Sequence, residues 1–107
     1  LSGSNVVLLD AVSETGIGTL QPVGTFKNYI FEVYGTATSF ALQVQAVGLS
    51  EIPYNLKVWD ELNNTFLAGD ITAKGFYSVS VPSFTNLQVN VVSISGGNIS
   101  VVGGLMQ

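Results

Sequence analysis

Few side chains in this chain can do chemistry near neutral pH. Its 107 residues include no His, no Cys and no Arg, and the charged residues are seven acids and three lysines, Lys27, Lys57 and Lys74. Nucleophilic catalysis needs a base that activates the nucleophile, which leaves only a Ser–Lys pair or a carboxylate mechanism. None of the lysines stands beside an accompanying serine motif. We therefore predict no catalytic residues and no enzymatic activity.

The adjacent acids Asp60 and Glu61 are the place to seek paired carboxylates or a cation site. Two carboxylates hydrolyse a glycoside when they flank the same bond, but neighbours in a strand point to opposite faces. The stretch 60–64 also lacks the alternating acids and distal Glu of a calcium loop. Gly16 and Gly18 have no third glycine at the spacing of a phosphate-binding loop. We expect solvated turn carboxylates here, no metal site and no cofactor.

The single tryptophan, Trp59, is the strongest candidate for a binding contact. It shares the phase of Asn55 and Lys57, which faces outward if Leu56 and Val58 face inward. An outward Trp is typical of an interface anchor or of a platform on which a sugar ring stacks. The other interpretation is that the indole folds back over an edge of the domain. We take Trp59, Asn55 and Lys57 as possible partner or glycan contacts.

The elements that must position these residues are strands. Apolar and polar residues alternate with a period of two, and breaks rich in Gly, Pro and Asn separate the runs. The inward phase of these runs contains aromatic residues, which are Tyr29, Phe31, Phe40, Tyr54 and Tyr77. Eight or nine strands fit at intervals of about ten residues. The sequence predicts one domain over residues 1–107, an all-β antiparallel sandwich of jelly-roll type.

The pair Gly96-Gly97 predicts a tight hairpin between the last two strands. A two-residue turn there would place Ile94 opposite Ile99, with small polar residues on the other face. The residues before Val91 have the opposite phase to those from Val92 onward. The Val91-Val92 step should therefore hold a β-bulge or a crossing from one sheet to another.

The scarcity of charge bears on partners. The net charge of −4 argues against nucleic acid and anionic membrane surfaces, because three lysines neutralise few phosphates. Charged residues make up 9% of the chain, against about 25% in an average soluble domain. Two interpretations remain: a monomer with a neutral polar surface, or a subunit whose apolar outward residues are covered by a partner. No membrane insertion is expected, and because the chain begins at Leu1, we expect a processed product or an excised domain.

The segment Ile71 to Gly104 resembles the C-terminal part of small β-rich virion proteins of tailed bacteriophages. Their G-x-Y-x-V-x-V strand is matched from Gly75 to Val81, their V-x-V-x-S strand from Val89 to Ser93, and their Gly-Gly turn by Gly96-Gly97. The opening stretch 6–23, with an L-D-A followed by a Gly-containing loop, is also similar to their first strand.

This resemblance implies a non-catalytic structural component of the virion, either a capsid decoration or a head-fibre subunit, or else a tail accessory. It implies self-association, for which a homotrimer is expected, and binding to phage capsid or tail proteins. The alternative function is a carbohydrate-binding module or adhesin that attaches to host-surface glycans through Trp59.

Overall fold

The computed structural model describes residues 3–107, which form two packed antiparallel sheets. The strands are β1 (Gly3–Val12), β2 (Gly16–Ile17), β3 (Gln21–Pro22), β4 (Asn28–Tyr34), β5 (Ser39–Val47), β6 (Pro53–Asn55), β7 (Val58–Asp60), β8 (Thr65–Phe66), β9 (Gly75–Ser80), β10 (Asn86–Ser95) and β11 (Ile99–Met106). The six-stranded sheet has the order β1-β11-β4-β9-β7-β8. The five-stranded sheet has the order β2-β10-β5-β6, with β3 also paired to β10.

The predicted antiparallel β-sandwich is confirmed, but the number of strands is not. Eleven strands are present within residues 3–107, because five short ones of two or three residues accompany the six longer strands. Strands this short are too brief to show a period of two in the sequence. No helix within the described residues is long and apolar enough to cross a bilayer.

The core lies between the sheets and follows the predicted alternation in the long strands. In β4, Tyr29, Phe31 and Val33 are buried, and the rings of Tyr29 and Phe31 stack with their centroids 5.0 Å apart. Tyr77 of β9 is buried beside them, as predicted. Tyr54 is the exception, because it lies on the edge strand β6 and is 60% exposed.

The prediction of a hairpin at Gly96-Gly97 is wrong. Strand β10 pairs with β5 in the five-stranded sheet, whereas β11 pairs with β1 and β4 in the other sheet. The turn is therefore an arch that crosses between sheets. The connection from β4 to β5 is a second arch of this kind, and the two lie side by side. Ala37 N donates to Asn98 O at 2.9 Å, and Asn98 N donates to Thr36 Oγ1 at 3.0 Å.

The phase change at Val91-Val92 is a β-bulge, the first of the two predicted alternatives. The pairing of β10 with β5 shifts by one residue between Val91 and Ser93. Val91 is buried and Val92 is largely exposed, so the extra residue leaves the core while the strand stays in its sheet.

The two long sides of the sandwich differ. On one side, Gly18 N bonds to Val89 O and Thr19 N bonds to Leu8 O, at 3.0 and 3.1 Å, which ties the two sheets together. On the other side, the edge of β5 is covered by Leu56 and by Ile71, with a gap between them. A cavity opens in this gap.

Candidate functional site

A groove lined by aromatic and polar side chains opens on the outer face of the six-stranded sheet, towards its β8 edge. We call it the aromatic groove; its cavity volume is ≈ 390 Å³. It is lined by Asn28, Lys57, Trp59, Phe66, Ser78, Val79 and Ser80. The sheet register explains the grouping, because Phe66, Trp59 and Ser78 are cross-strand partners on β8, β7 and β9.

Two rings form a corner in this groove. Trp59 and Phe66 are 4.8 Å apart between centroids, with their planes at 79°. The ammonium of Lys57 lies 4.5 Å from the centroid of Phe66, a cation–π contact. Phe66 is 50% exposed, so it presents apolar surface to solvent beside the half-buried indole.

Hydrogen-bonding groups surround the corner. The groove contains the amide of Asn28 and the hydroxyls of Ser78 and Ser80. Ser78 Oγ donates to Glu61 Oε2 at 2.7 Å, so a carboxylate lies next to the lining. The arrangement combines apolar ring surface with hydrogen-bond donors and acceptors, as expected of a site that orients a small polar ligand.

A second cavity, the side cleft, opens in the gap on the β5 edge. Its volume is ≈ 380 Å³, and Lys57 lines both cavities. The apolar wall of the side cleft includes Leu56 and Leu67, and the polar groups are Gln43, Asn55, Lys57 and Asp70. The chain passes from β6 in one sheet to β7 in the other at Leu56 and Lys57, which is why one side chain borders both spaces.

The three contact residues predicted from the sequence do not all line the same cavity. Trp59 and Lys57 lie together in the aromatic groove, whereas Asn55 lies in the side cleft. The Oδ1 of Asn55 accepts a hydrogen bond from Gln45 Nε2 at 2.9 Å. The sequence reasoning missed Phe66, because the two-residue strand β8 has no detectable period.

The turn carboxylates differ from expectation in one respect. Asp60 is buried rather than solvated, and it accepts hydrogen bonds from Leu62 N, Asn63 N and Asn63 Nδ2 at 3.0, 3.2 and 2.8 Å. The bond from the Asn63 side chain is the main reason that the pKa of Asp60 lies below its ordinary value. Glu61 is exposed. Within residues 3–107, no three His, Cys, Asp or Glu side chains are grouped so that they could hold a metal ion.

The outer face of the six-stranded sheet also carries an apolar patch. One row crosses four neighbouring strands through the partners Val7, Val102, Glu32 and Phe76. Ile30 lies on the same face of β4, and Val7, Ile30 and Phe76 are each 45–47% exposed. We call Val7, Ile30, Glu32, Phe76 and Val102 the outer patch. Glu32 is its only charge.

The outer face of the five-stranded sheet carries a cluster of paired amides, next to the exposed Ile17 of β2. Gln88 Nε2 donates to Gln45 Oε1 at 2.8 Å, and Asn90 Nδ2 donates to Gln43 Oε1 at 3.2 Å. Gln45 and Gln88 are buried despite their outward phase, since these amides satisfy each other. The two outer faces of the sandwich therefore have different chemistry.

Comparison with known proteins finds relatives in sequence and in fold. The uncharacterized protein YqxG of Bacillus subtilis (strain 168) is 28% identical over 99 residues, which covers 92% of this chain and 33% of YqxG. The chain thus spans about a third of that curated relative.

Two solved structures share the fold. The SPBc2 prophage-derived protein YomS has a TM-score of 0.88 at 17% identity, covering 97% of this chain and 92% of that one. The PBSX exported protein XepA has a TM-score of 0.90 at 21% identity, covering 97% of this chain and 37% of that one. The family model described as XepA matches residues 2–105, and the chain therefore belongs to the XepA family.

Proposed function

We propose that the protein is a non-catalytic structural component of a tailed-phage virion, a capsid decoration or head-fibre subunit that self-associates and binds the particle. Two observations support the proposal from outside the chain: its family membership, and its likeness in fold to a prophage-derived protein. The observation that carries it is the outer patch. Its apolar side chains lie on neighbouring strands of one sheet face and are partly exposed, and such apolar patches are typical of interfaces.

The occupant that we propose for the outer patch is another copy of the chain. Copies with a net charge of −4 repel one another, so a contact that buries apolar area and little charge favours their association. The outer patch combines exposed apolar side chains with a single charged residue, Glu32. Three copies with these faces turned towards a common axis would form a homotrimer, and their remaining surface would contact the particle.

The test is the mass of the protein in solution and its binding to purified phage heads. We expect an oligomer by sedimentation velocity, and we expect Phe76→Glu to shift it towards monomer by placing a charge in the patch. Leu49→Glu is the matched control, because Leu49 is fully exposed outside the patch. A monomer at high concentration that binds no particle would refute the proposal, and so would equal disruption by both variants.

A second candidate function is attachment to glycans of the host surface. The aromatic groove favours it, since an exposed ring next to amide and hydroxyl groups is the usual means of holding a sugar. We expect the protein to bind host cells and Trp59→Ala to weaken that binding, with Tyr34→Ala as the control for another exposed aromatic residue. Binding that is absent, or unchanged by Trp59→Ala, would reject this function.

A further inference from the structure

We infer that the aromatic groove and the side cleft are two subsites for one ligand, a linear uncharged oligosaccharide that passes over Lys57. This inference rests on the second candidate function, and it specifies the ligand class and the extent of the site. The observation behind it is that the two cavities have nearly equal volumes, ≈ 390 and ≈ 380 Å³, and meet at a single side chain.

The first subsite is the ring corner. Sugar rings present C–H groups on one face and hydroxyls around the rim, so they need an aromatic surface with hydrogen-bonding groups beside it. Phe66 and Trp59 provide two perpendicular walls. Asn28 and Ser80 line the same cavity and offer amide and hydroxyl groups to the rim.

The second subsite has no aromatic ring. Its floor is apolar, from residues such as Leu56 and Leu67, and its polar groups are Gln43, Asn55 and Asp70. The Oδ1 of Asn55 is already bonded to Gln45, which fixes the direction of the amide and leaves its Nδ2 as a donor. The second subsite is therefore built to orient hydroxyl groups rather than to stack a ring.

The charges around the two cavities favour an uncharged ligand. Asp70 lines the side cleft, and Glu61 is hydrogen bonded to Ser78 of the aromatic groove. Two carboxylates and one ammonium, that of Lys57, therefore lie at or next to the cavities, in a chain that is acidic overall. An acidic polysaccharide would be repelled on balance, whereas neutral hydroxyls can bond to both the carboxylates and the ammonium.

Lys57 is the junction between the subsites. Its contact with Phe66 holds the ammonium over the ring, and the side chain lines both cavities at once. Each cavity lies near the lower end of the size range of small-molecule sites, so one sugar unit fills only one of them. A longer oligosaccharide makes the second set of contacts without a second loss of translational and rotational entropy, which raises its affinity.

The experiment is a titration of ¹⁵N-labelled protein with glucose, maltotriose, maltohexaose, cellohexaose and chitohexaose, followed by NMR. We expect at least one hexasaccharide to shift the Trp59 indole and the Gln43 and Asn55 amides together, at least about tenfold more tightly than glucose. Trp59→Ala should abolish this binding. Gln43→Ala should weaken hexasaccharide binding and leave glucose binding unaffected, with each variant checked for folding by thermal unfolding.

Several results would overturn the inference. They are the absence of shifts with every probe, shifts confined to one cavity whatever the chain length, and preference for an acidic chain such as polygalacturonate. Cell binding separates this inference from the attachment function. A protein that binds host cells through Trp59 but binds no neutral oligosaccharide would refute the inference alone, whereas loss of both would also reject attachment.

Discussion

At the scale of single residues, buried polar groups show how closely position and chemistry are linked in this protein. Asp60 begins a turn, and its carboxylate accepts three hydrogen bonds from the residues that follow it. Tyr29 is buried in the core, and its hydroxyl donates a hydrogen bond to Val6 O at 3.0 Å. In both cases the polar atom has a hydrogen-bond partner, and no buried side-chain nitrogen or oxygen within the described residues lacks one.

We predict that Asp60→Asn destabilises the protein at neutral pH, with a loss that shrinks in acid. The pKa of Asp60 is lowered from 3.8 by the Asn63 hydrogen bond, so its ionised form stabilises the fold above that value. This stabilisation disappears as the pH falls through the folded-state pKa. Urea unfolding between pH 7 and pH 2.5 measures it, with the exposed Asp10→Asn as control. A loss that is constant with pH would contradict the prediction.

We predict that Tyr29→Phe destabilises the fold and flattens its alkaline unfolding. Removing the hydroxyl leaves the buried Val6 carbonyl without this partner, a cost of about 1–3 kcal/mol. Burial raises the pKa of Tyr29 above its ordinary value of 10.0, so the wild-type protein loses stability as the pH rises above 10.0. Part of that loss should remain in the variant, since burial and the nearby Asp60 charge also raise the pKa of Tyr77.

Urea unfolding at pH 8 and at pH 11 checks this prediction. The matched control is Tyr54→Phe, because Tyr54 is exposed and its hydroxyl is not buried. A variant that falls in stability between the two pH values as steeply as wild type would show that Tyr29 does not govern the alkaline loss.

The candidate site was partly visible in the sequence at this scale. The outward phase of Trp59 follows from alternation, and Lys57 lies beside it as the same phase implies. Asn55 shares that phase but points elsewhere, because the chain changes sheets between β6 and β7. Phe66 lies on the next strand along the chain and Asn28 on a distant one, and the pairing of the sheet brings both to the groove.

At the scale of elements, the long strands follow the sequence pattern and their pairing does not. Alternation placed the core residues of β4 and β9 correctly, since burial on one face of a sheet imposes a period of two. The Gly96-Gly97 pair indicated a reversal of direction, which is present. Turn residues fix local backbone geometry, however, and they carry no information about whether the strand after the turn joins the same sheet or the opposite one.

We predict that the arch at Gly97 is sensitive to any side chain. Gly97 has a φ of +145°, and an added Cβ would contact Thr36 Oγ1 and lie 2.7 Å from the Thr36 carbonyl carbon. Gly97→Ala should therefore destabilise the protein by more than Gly24→Ala, which has a positive φ in open space and should cost about 1–2 kcal/mol.

Chemical denaturation of these variants separates the two causes. Gly48→Ala completes the set, because Gly48 has neither a positive φ nor an atom within 4 Å of the added Cβ, and it should be almost neutral. Equal losses for Gly97→Ala and Gly24→Ala would mean that the close approach of the two arches adds nothing to backbone strain.

At the scale of the whole molecule, the structure shows which surfaces carry the uncharged residues. The outer face of the six-stranded sheet is apolar at the outer patch, whereas the other outer face carries a cluster of paired amides. Composition alone could not tell these apart, because it does not say on which sheet the uncharged residues lie.

We predict that self-association of the protein strengthens, or stays constant, as salt increases. The proposed contact is apolar, and the main opposing force is repulsion between copies of net charge −4, which salt screens. Sedimentation velocity at 50 and 500 mM NaCl tests this, with Phe76→Glu as the variant that should remain dissociated at both. Dissociation of the wild-type oligomer at high salt would instead indicate contacts made by ion pairs.

The position of β11 has a consequence for biosynthesis. Strand β11, Ile99–Met106, lies between β1 and β4, so the six-stranded sheet stays divided until the ribosome has released these residues. A nascent chain cannot complete its core gradually from the amino terminus. A chain that stops before Ile99 lacks the strand that joins the two parts of this sheet. The fold of this domain is thus completed only when its last strand has been synthesised.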